Sequence, residues 1–431
     1  LIPLRLEDAL ICITSIGPIA ENDPLRLAFF LPHIGVTGGL GVHARTLLAS
    51  LIECNEAFEL TVVAPDNPAQ LFPRSGIEPG WTEPLQDPRF NLDLIKWPES
   101  ANLADPLDAI LANRPAIQSA DVIYTSYYTG MAHPPAPQII TFHDAGFLEF
   151  PEAFGSTAST RLNTLRLIKS SISAMHCVSA DARDRICRLL PFDPSRTRVV
   201  WHALADEASA INSAKHESWQ DRPLWEEGDT LRQWGRYAFF PVGAATGFNR
   251  RRKNVPLAVE AFRDANIPDF RLVIASTCLL DGGSLDQLLP PSEQLQGGAM
   301  IRGAWRSDDG RVIILPNLDR PQFLAAMAHS HVVYYPTRYE GFGLPAIEAM
   351  ALGIPLISGK TTSLIEVVGN AGILVNPDSR HDLSDALRSA AHDSALRSHL
   401  TEQGCERSHL FSRSRLANGM MSMFHEFADR R

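Results

Sequence analysis

With 431 residues, 45% of them apolar and 20% charged, the chain exceeds one ordinary core and is too apolar to stay disordered, so two domains of roughly 200 residues each are expected. A formal net charge of −10 excludes broad nucleic-acid binding, which needs a basic face to displace counterions. Six scattered cysteines, Cys12, Cys54, Cys177, Cys187, Cys278 and Cys405, contain no C-x-x-C pair and exclude a disulfide scaffold, which points to a reducing cytoplasm.

Residues 1–20 are interrupted by Arg5, Glu7 and Asp8, which argues against a signal peptide, and no apolar run is long enough to span a bilayer. Residues 25–31 are predicted to form a buried strand, followed by the Gly-rich turn Gly35-Val36-Thr37-Gly38-Gly39-Leu40-Gly41 and a helix over 42–52. A second strand follows at 59–65, so the chain opens as a parallel α/β unit. Further strands are predicted at 121–126, 138–142, 174–179 and 198–201, with a helix at 180–190. Residues 157–172 place Arg161, Arg166 and Lys169 among leucines and isoleucines, which fits a solvated helix face or a basic surface meeting anionic lipid. The polar stretch 205–236, with Trp219, Trp225 and Trp234 among charges, is expected to connect the domains. A second α/β series follows, with strands at 238–242, 271–275, 311–315, 331–335 and 355–358 and helices at 255–263, 321–328 and 345–351. The apolar positions Leu416, Met420, Met423, Phe424 and Phe427 share one face of a final helix.

The strongest local pattern is Tyr339-Glu340-Gly341-Phe342-Gly343-Leu344-Pro345, followed by Glu348. Pro345 suits a first helical turn, where its missing amide costs nothing, and Gly353 suits the stop. A loop ahead of that helix offers backbone amides at a positive helix end, a ready phosphate site. Glu348 is expected in the first turn, sharing a mouth with Glu340, where two carboxylates accept hydrogen bonds from sugar or ribose hydroxyls. The plain alternative is a helix start with an acidic first turn.

The run 339–353, with Ile354-Pro355-Leu356-Ile357-Ser358 after it, resembles the Glu-x7-Glu motif of retaining glycosyltransferases of family 4. That family has the GT-B fold, in which two Rossmann-like parallel-sheet α/β domains face an interdomain cleft. Residues 321–335, the Gly369-Asn370-Ala371-Gly372 turn and residues 382–412 extend the resemblance. So, more loosely, do Gly38-Gly39, His143-Asp144 and Val178-Ser179. The resemblance implies that Glu340 contacts the donor sugar, Glu348 the ribose, and the backbone of Phe342, Gly343 and Leu344 the sugar hydroxyls and phosphate. It further implies that Gly38 and Gly39 approach the diphosphate and that His143 sits at the reacting centre.

Arg250-Arg251-Arg252-Lys253-Asn254 lies between a strand and a helix, where fixed cations suit a departing diphosphate. Lys253 matches the family pattern; Ala244 stands where the family carries an arginine, so Arg252 is taken as the second cation, with Arg250 and Arg251 as rivals. No Asp-x-Asp and no H-E-x-x-H occurs, which argues against a metal-bridged diphosphate, and no cofactor is expected beyond the donor substrate. His33 and His43 flank the Gly loop and are either cleft-facing or structural. Residues 314–317 are expected to contact the nucleobase.

The expected protein is a metal-independent retaining hexosyltransferase acting on a nucleoside-diphosphate sugar and a glycan or lipid-linked acceptor. The His-Asp and Arg-Lys-Asn segments lean toward GDP-mannose. The rivals are an epimerase or phosphorylase of the same fold, and a silent binding scaffold. The division expected is an acceptor domain over 1–207, a connection over 208–237, a donor domain over 238–410 and a returning helix over 411–431. A cytoplasmic setting is expected, with peripheral contact at the membrane's inner face as an option.

Overall fold

The computed structural model describes residues 24–35, 39–67, 71, 83–98, 103, 105–154, 156–205, 208–224, 230–243, 248–276, 289, 298–301, 304–316 and 318–428. Two parallel-sheet domains follow one another. The first sheet is built from β1 (Leu25–Phe30), β2 (Phe58–Pro65), β3 (Phe90–Ile95), β4 (Val122–Thr125), β5 (Gln138–Phe142), β6 (Ile172–Cys177) and β7 (Thr197–Val199). Their order is β3-β2-β1-β4-β5-β6-β7, and every pairing is parallel.

The second sheet holds β8 (Arg236–Gly243), β9 (Phe270–Ser276), β10 (Gly298–Ile301), β11 (Ala304–Ser307), β12 (Val312–Pro316), β13 (Val332–Tyr335), β14 (Leu356–Gly359) and β15 (Ile373–Val375). The order is β10-β11-β12-β9-β8-β13-β14-β15. Only the β10–β11–β12 edge is antiparallel. Without that edge, the second sheet has the strand order of a dinucleotide-binding fold, which reverses direction between β8 and β13.

These strands form because they are short apolar runs covered by helices on both faces, as parallel sheets require. One face of the first sheet packs Phe29, Leu60 and Val62 against the Gly39–Ile52 helix. The Arg413–Ala428 helix joins that face through Leu416, Met420, Met423, Phe424 and Phe427, so the last helix is part of the first domain's core. The other face packs Ile123, Ile140 and Met175 against the Ser156–Ile168 and Ala180–Leu189 helices.

Several expectations need correction. The stretch 208–237, expected to connect the domains, carries short helices and buries Ile211, Leu224, Leu231 and Trp234 in the second domain's core. β3 was not predicted: it is an edge strand whose Leu92 and Leu94 are exposed, so its apolar spacing is diluted by polar residues. The β10–β11 hairpin was missed as well. The helix of residues 157–172 spans Ser156–Ile168, and Arg161 points inward while Leu167 stays exposed. No described helix is long and apolar enough to cross a membrane.

Candidate functional site at the domain junction

In open parallel sheets, ligands bind beyond the carboxyl ends of strands where the strand order reverses. In the second domain that point lies between β8 and β13. The Phe248–Lys253 helix follows β8, and the 336–343 loop follows β13. Arg252, Lys253 and Glu340 meet there. Lys253 Nζ lies 2.7 Å from Glu340 Oε1, and Arg252 Nη1 lies 2.9 Å from Glu340 Oε2. Thr337 Oγ1 donates to Glu340 Oε1 at 3.0 Å, and Lys253 Nζ donates to the Tyr335 hydroxyl at 3.1 Å.

The backbone fixes this meeting. Asn254 takes a left-handed conformation, φ 61°, and its side-chain amide donates to the Pro336 and Pro377 carbonyls. Arg338 N donates to the Arg252 carbonyl at 2.7 Å, so the two loops are tied together. Burial alone would raise the Glu340 carboxyl, but the Arg252 and Lys253 charges outweigh it and bring its pKa down to about 2. Burial lowers the Lys253 ammonium to about 8, with Glu340 opposing that shift and Arg252 adding to it.

Of the two candidate arginines whose side chains are described, Arg251 and Arg252, it is Arg252 that pairs with Glu340. Arg251 instead lines a separate cavity of about 270 Å³ with Arg338 and Glu260. The Arg250 side chain lies outside the described residues.

The helix after the loop runs Leu344–Leu352, with Pro345 in its first turn, Gly343 as its left-handed cap at φ 101° and Gly353 as its left-handed stop at φ 72°. No described group accepts from the Phe342 and Gly343 amides. The Phe342 side chain is structural: it is buried and stands edge-on to Phe411, with ring centres 5.8 Å apart. Leu344 is half-buried at the helix start. Glu348 corrects an expectation, because the first turn carries no acidic residue. Glu348 sits one turn further on, buried, with Arg320 Nη2 2.6 Å from its Oε1. Of residues 314–317, expected to contact the nucleobase, Ile314 and Leu315 have buried side chains in β12 and Asn317 lies outside the described residues.

The first domain presses directly on this loop. A Cβ placed on Gly341 would lie 2.1 Å from the His143 carbonyl oxygen, so only glycine permits the approach. Ser179 Oγ donates to the Gly341 carbonyl at 2.8 Å, and the Tyr339 hydroxyl accepts from Ala145 N at 2.8 Å. Glu366 accepts from Ala180 N and Asp181 N, at the start of the Ala180–Leu189 helix, and from Trp201 Nε1. His143 is buried, with Nε2 2.9 Å from the Ser126 carbonyl. Gly39 opens its helix, and a Cβ there would meet nothing within 4 Å, so protein packing does not account for that glycine. Gly38 lies outside the described residues.

Sequence reasoning missed what surrounds His143. His33, His43, His143, His176 and His202 are all buried near the carboxyl end of the first sheet. His43 Nδ1 and His202 Nδ1 are 2.8 Å apart, so one donates and the other accepts. Ring centres are 4.9 Å apart for His43–His143 and 5.8 Å for His143–His202, and His202 meets Phe342 edge-on at 5.0 Å. Burial pushes every one of these imidazoles below its ordinary value, His176 to about 4. The cluster is therefore neutral at pH 7. Among the described residues no group of histidine, cysteine or acidic side chains has the arrangement of a metal site.

Residues 37–207 match the family model described as Glycosyltransferase Family 4, and residues 246–407 match Glycosyl transferases group 1. Together the two span most of the chain, which belongs to the GT-B glycosyltransferases of family 4. The O-antigen chain mannosyltransferase B of Escherichia coli is 27% identical over 310 residues, which is 68% of this chain and 71% of that relative. The serotype-specific mannosyltransferase WbdA of Escherichia coli is 33% identical over a shorter stretch, 28% of this chain and 15% of that protein. Among solved structures, sucrose-phosphate synthase from Thermosynechococcus elongatus superposes with a TM-score of 0.64 at 18% identity, covering 94% of this chain and 100% of that one.

Proposed function

We propose that the chain is a metal-independent retaining hexosyltransferase that takes a nucleoside-diphosphate sugar as donor, GDP-mannose being favoured. The Arg252–Lys253–Glu340 triad at the strand-order reversal carries this reading. Two fixed cations there meet the diphosphate, whose charge grows as the glycosidic bond breaks. The Phe342 and Gly343 amides, at the start of the Leu344–Leu352 helix, add donors at a positive helix end. Glu340 neutralises the cations in the free protein and accepts from hydroxyls of the bound sugar. Glu348 holds the ribose, with Arg320 orienting its carboxylate.

In the transfer, the bond from the anomeric carbon to the diphosphate oxygen breaks while a bond to the acceptor oxygen forms on the same face. The acceptor's hydroxyl proton passes to the departing diphosphate. His143, held by Ser126 and against Gly341, borders the transferred sugar. The acceptor is a glycan or a lipid-linked hydroxyl, and the two mannosyltransferase relatives support mannose as the transferred sugar. A reducing cytoplasmic setting is supported by Cys54, Cys177, Cys187 and Cys405, which form no disulfides.

A thermal-shift screen with UDP, GDP, ADP and dTDP and their common sugars tests the reading. A ligand that binds only the native state raises its apparent stability by about 2.7 kcal/mol at a hundred times its Kd. The expected result is stabilisation by one nucleoside diphosphate, strongest for GDP, without added metal. Stabilisation by none of them would end the proposal.

A further inference from the structure

A cavity of about 190 Å³ opens between the domains beside Arg252, and its walls include Tyr127, Tyr128, Asp144, Arg161 and Tyr339. That is below the roughly 300–1,000 Å³ of sites for drug-sized ligands, and suits a single sugar ring rather than an oligosaccharide. Arg252 belongs to the donor triad. Arg161 comes from the Ser156–Ile168 helix of the first domain. A molecule in this cavity thus has a donor-side cation at one wall and an independent cation at another.

Arg161 is held in an unusual way. Its guanidinium carbon lies 5.3 Å from the centre of the Tyr127 ring, 5.7 Å from Tyr128, and 5.9 Å from both Phe147 and Phe154. One nitrogen donates to the Tyr127 hydroxyl. Among the described residues no carboxylate pairs with it. The rings hold the cation in place, but a single phenol leaves most of its five donors unused. A fixed planar fork of donors lining a cavity matches a phosphate or a carboxylate. The tyrosines beside it line the cavity, and Asp144 offers an acceptor for a hydroxyl.

We infer that this cavity is the acceptor subsite and that Arg161 binds an anionic group, a phosphate or a carboxylate, carried by the acceptor. The inference rests on the glycosyltransfer reading. It makes Arg161 a specificity-determining residue, and makes a neutral sugar a poor acceptor.

The test is titration calorimetry on the full chain saturated with the nucleoside diphosphate found by the screen. The probes are mannose, mannose 6-phosphate and glucuronate, with phosphatidylcholine vesicles, with and without phosphatidic acid, as the lipid arm. An anionic probe is expected to bind about 10- to 100-fold more tightly than its neutral counterpart, as charge-assisted hydrogen bonds imply. Arg161→Gln should remove that preference and Arg161→Lys should restore part of it. Preference for a soluble probe assigns the anion to a soluble acceptor, and preference for the acidic vesicles assigns it to a lipid headgroup. Equal binding of charged and neutral probes by the unaltered protein overturns the inference, as does a preference that survives Arg161→Gln. The first of these outcomes needs no variant to fold. A protein that binds no nucleoside diphosphate fails earlier, at the proposed function, and the two failures are told apart.

Discussion

The two sides of the junction handle charge in opposite ways. The second domain holds three ionised groups together, with Lys253 and Glu340 buried and Arg252 partly so. The first domain buries five imidazoles on its side of the seam, and burial lowers each below its ordinary value, which leaves them uncharged at pH 7. The two meet where Gly341 touches the His143 carbonyl. On the proposed reading a departing diphosphate is met by the cations of the second domain, and the uncharged imidazoles beside the seam help keep water out, where fixed charges act more strongly. The two sides can be broken separately.

The largest effect is expected on the charged side. Lys253→Ala should lower transfer by about 10²–10³-fold, measured as kcat at saturating donor, since it removes a donor aimed at the leaving group. Glu340→Ala should also cost stability, because it leaves Arg252 and Lys253 buried without a counterion. Breaking a buried pair costs roughly 3–5 kcal/mol in chemical denaturation. Glu340→Gln should cost less while still reducing transfer. Wild-type kcat in Lys253→Ala would show that Arg252 alone serves the diphosphate.

Next comes the seam itself. Gly341→Ala forces a methyl group to within 2.1 Å of the His143 carbonyl oxygen, so the loop and the first domain must separate. Misplacement of about 1 Å costs on the order of 10²-fold in rate. Nucleoside-diphosphate affinity should change far less than kcat, since the triad lies wholly in the second domain. Equal losses in both would mean that the loop, not the seam, is damaged.

This seam marks the boundary of what was legible in the sequence. Glu340 and Lys253 were readable because each sits in a local pattern beside a glycine loop or a helix start. The caps at Gly343 and Gly353 were readable for the same reason. The histidine cluster was not, since His43 and His202 are 159 positions apart and no local pattern marks either. Glu348 falls outside the expected first turn because the helix begins at Leu344 rather than at Pro345, which leaves Glu348 just beyond that turn, paired with Arg320 from another helix. Arg161 looked like part of a solvated or lipid-facing surface because helical spacing shows which residues share a face, not what packs against it.

The pH dependence separates the two sides further. Lys253 loses its proton near pH 8 in the free protein, so kcat/KM should fall about tenfold per unit above that pH. Lys253→Arg should move this limb beyond the measurable range, because arginine stays charged. The neutral side acts at acid pH and on stability. The His176 folded value of about 4 lies below its ordinary 6.5. The unfolded chain therefore binds more protons between them, so this contribution is present above pH 6.5 and is lost as pH falls toward 4, on the order of 3 kcal/mol. Glu340, brought down from 4.5 to about 2, acts only below pH 4.5, its stability being lost as pH falls toward 2. Denaturant midpoints between pH 6.5 and 4.5 thus report the histidines before the triad. Constant stability across that window would mean that the cluster accepts protons without strain.

The smallest effect concerns how the two sides are held together. Glu366, on the Leu364–Val368 helix, uses both carboxylate oxygens on backbone amides at the start of the Ala180–Leu189 helix of the other domain. Glu366→Gln keeps the size but leaves one acceptor oxygen and removes the negative charge from a positive helix end, so about 1 kcal/mol of stability should be lost. Burial holds the Glu366 carboxyl above its ordinary value, with the Asp181 and Ala180 amides opposing the shift, so the charge is already expensive in the native protein. That is why the loss should stay small. A loss above roughly 3 kcal/mol, the scale of breaking a buried ion pair, would mean that Glu366 is a main fastening of the junction rather than one of several.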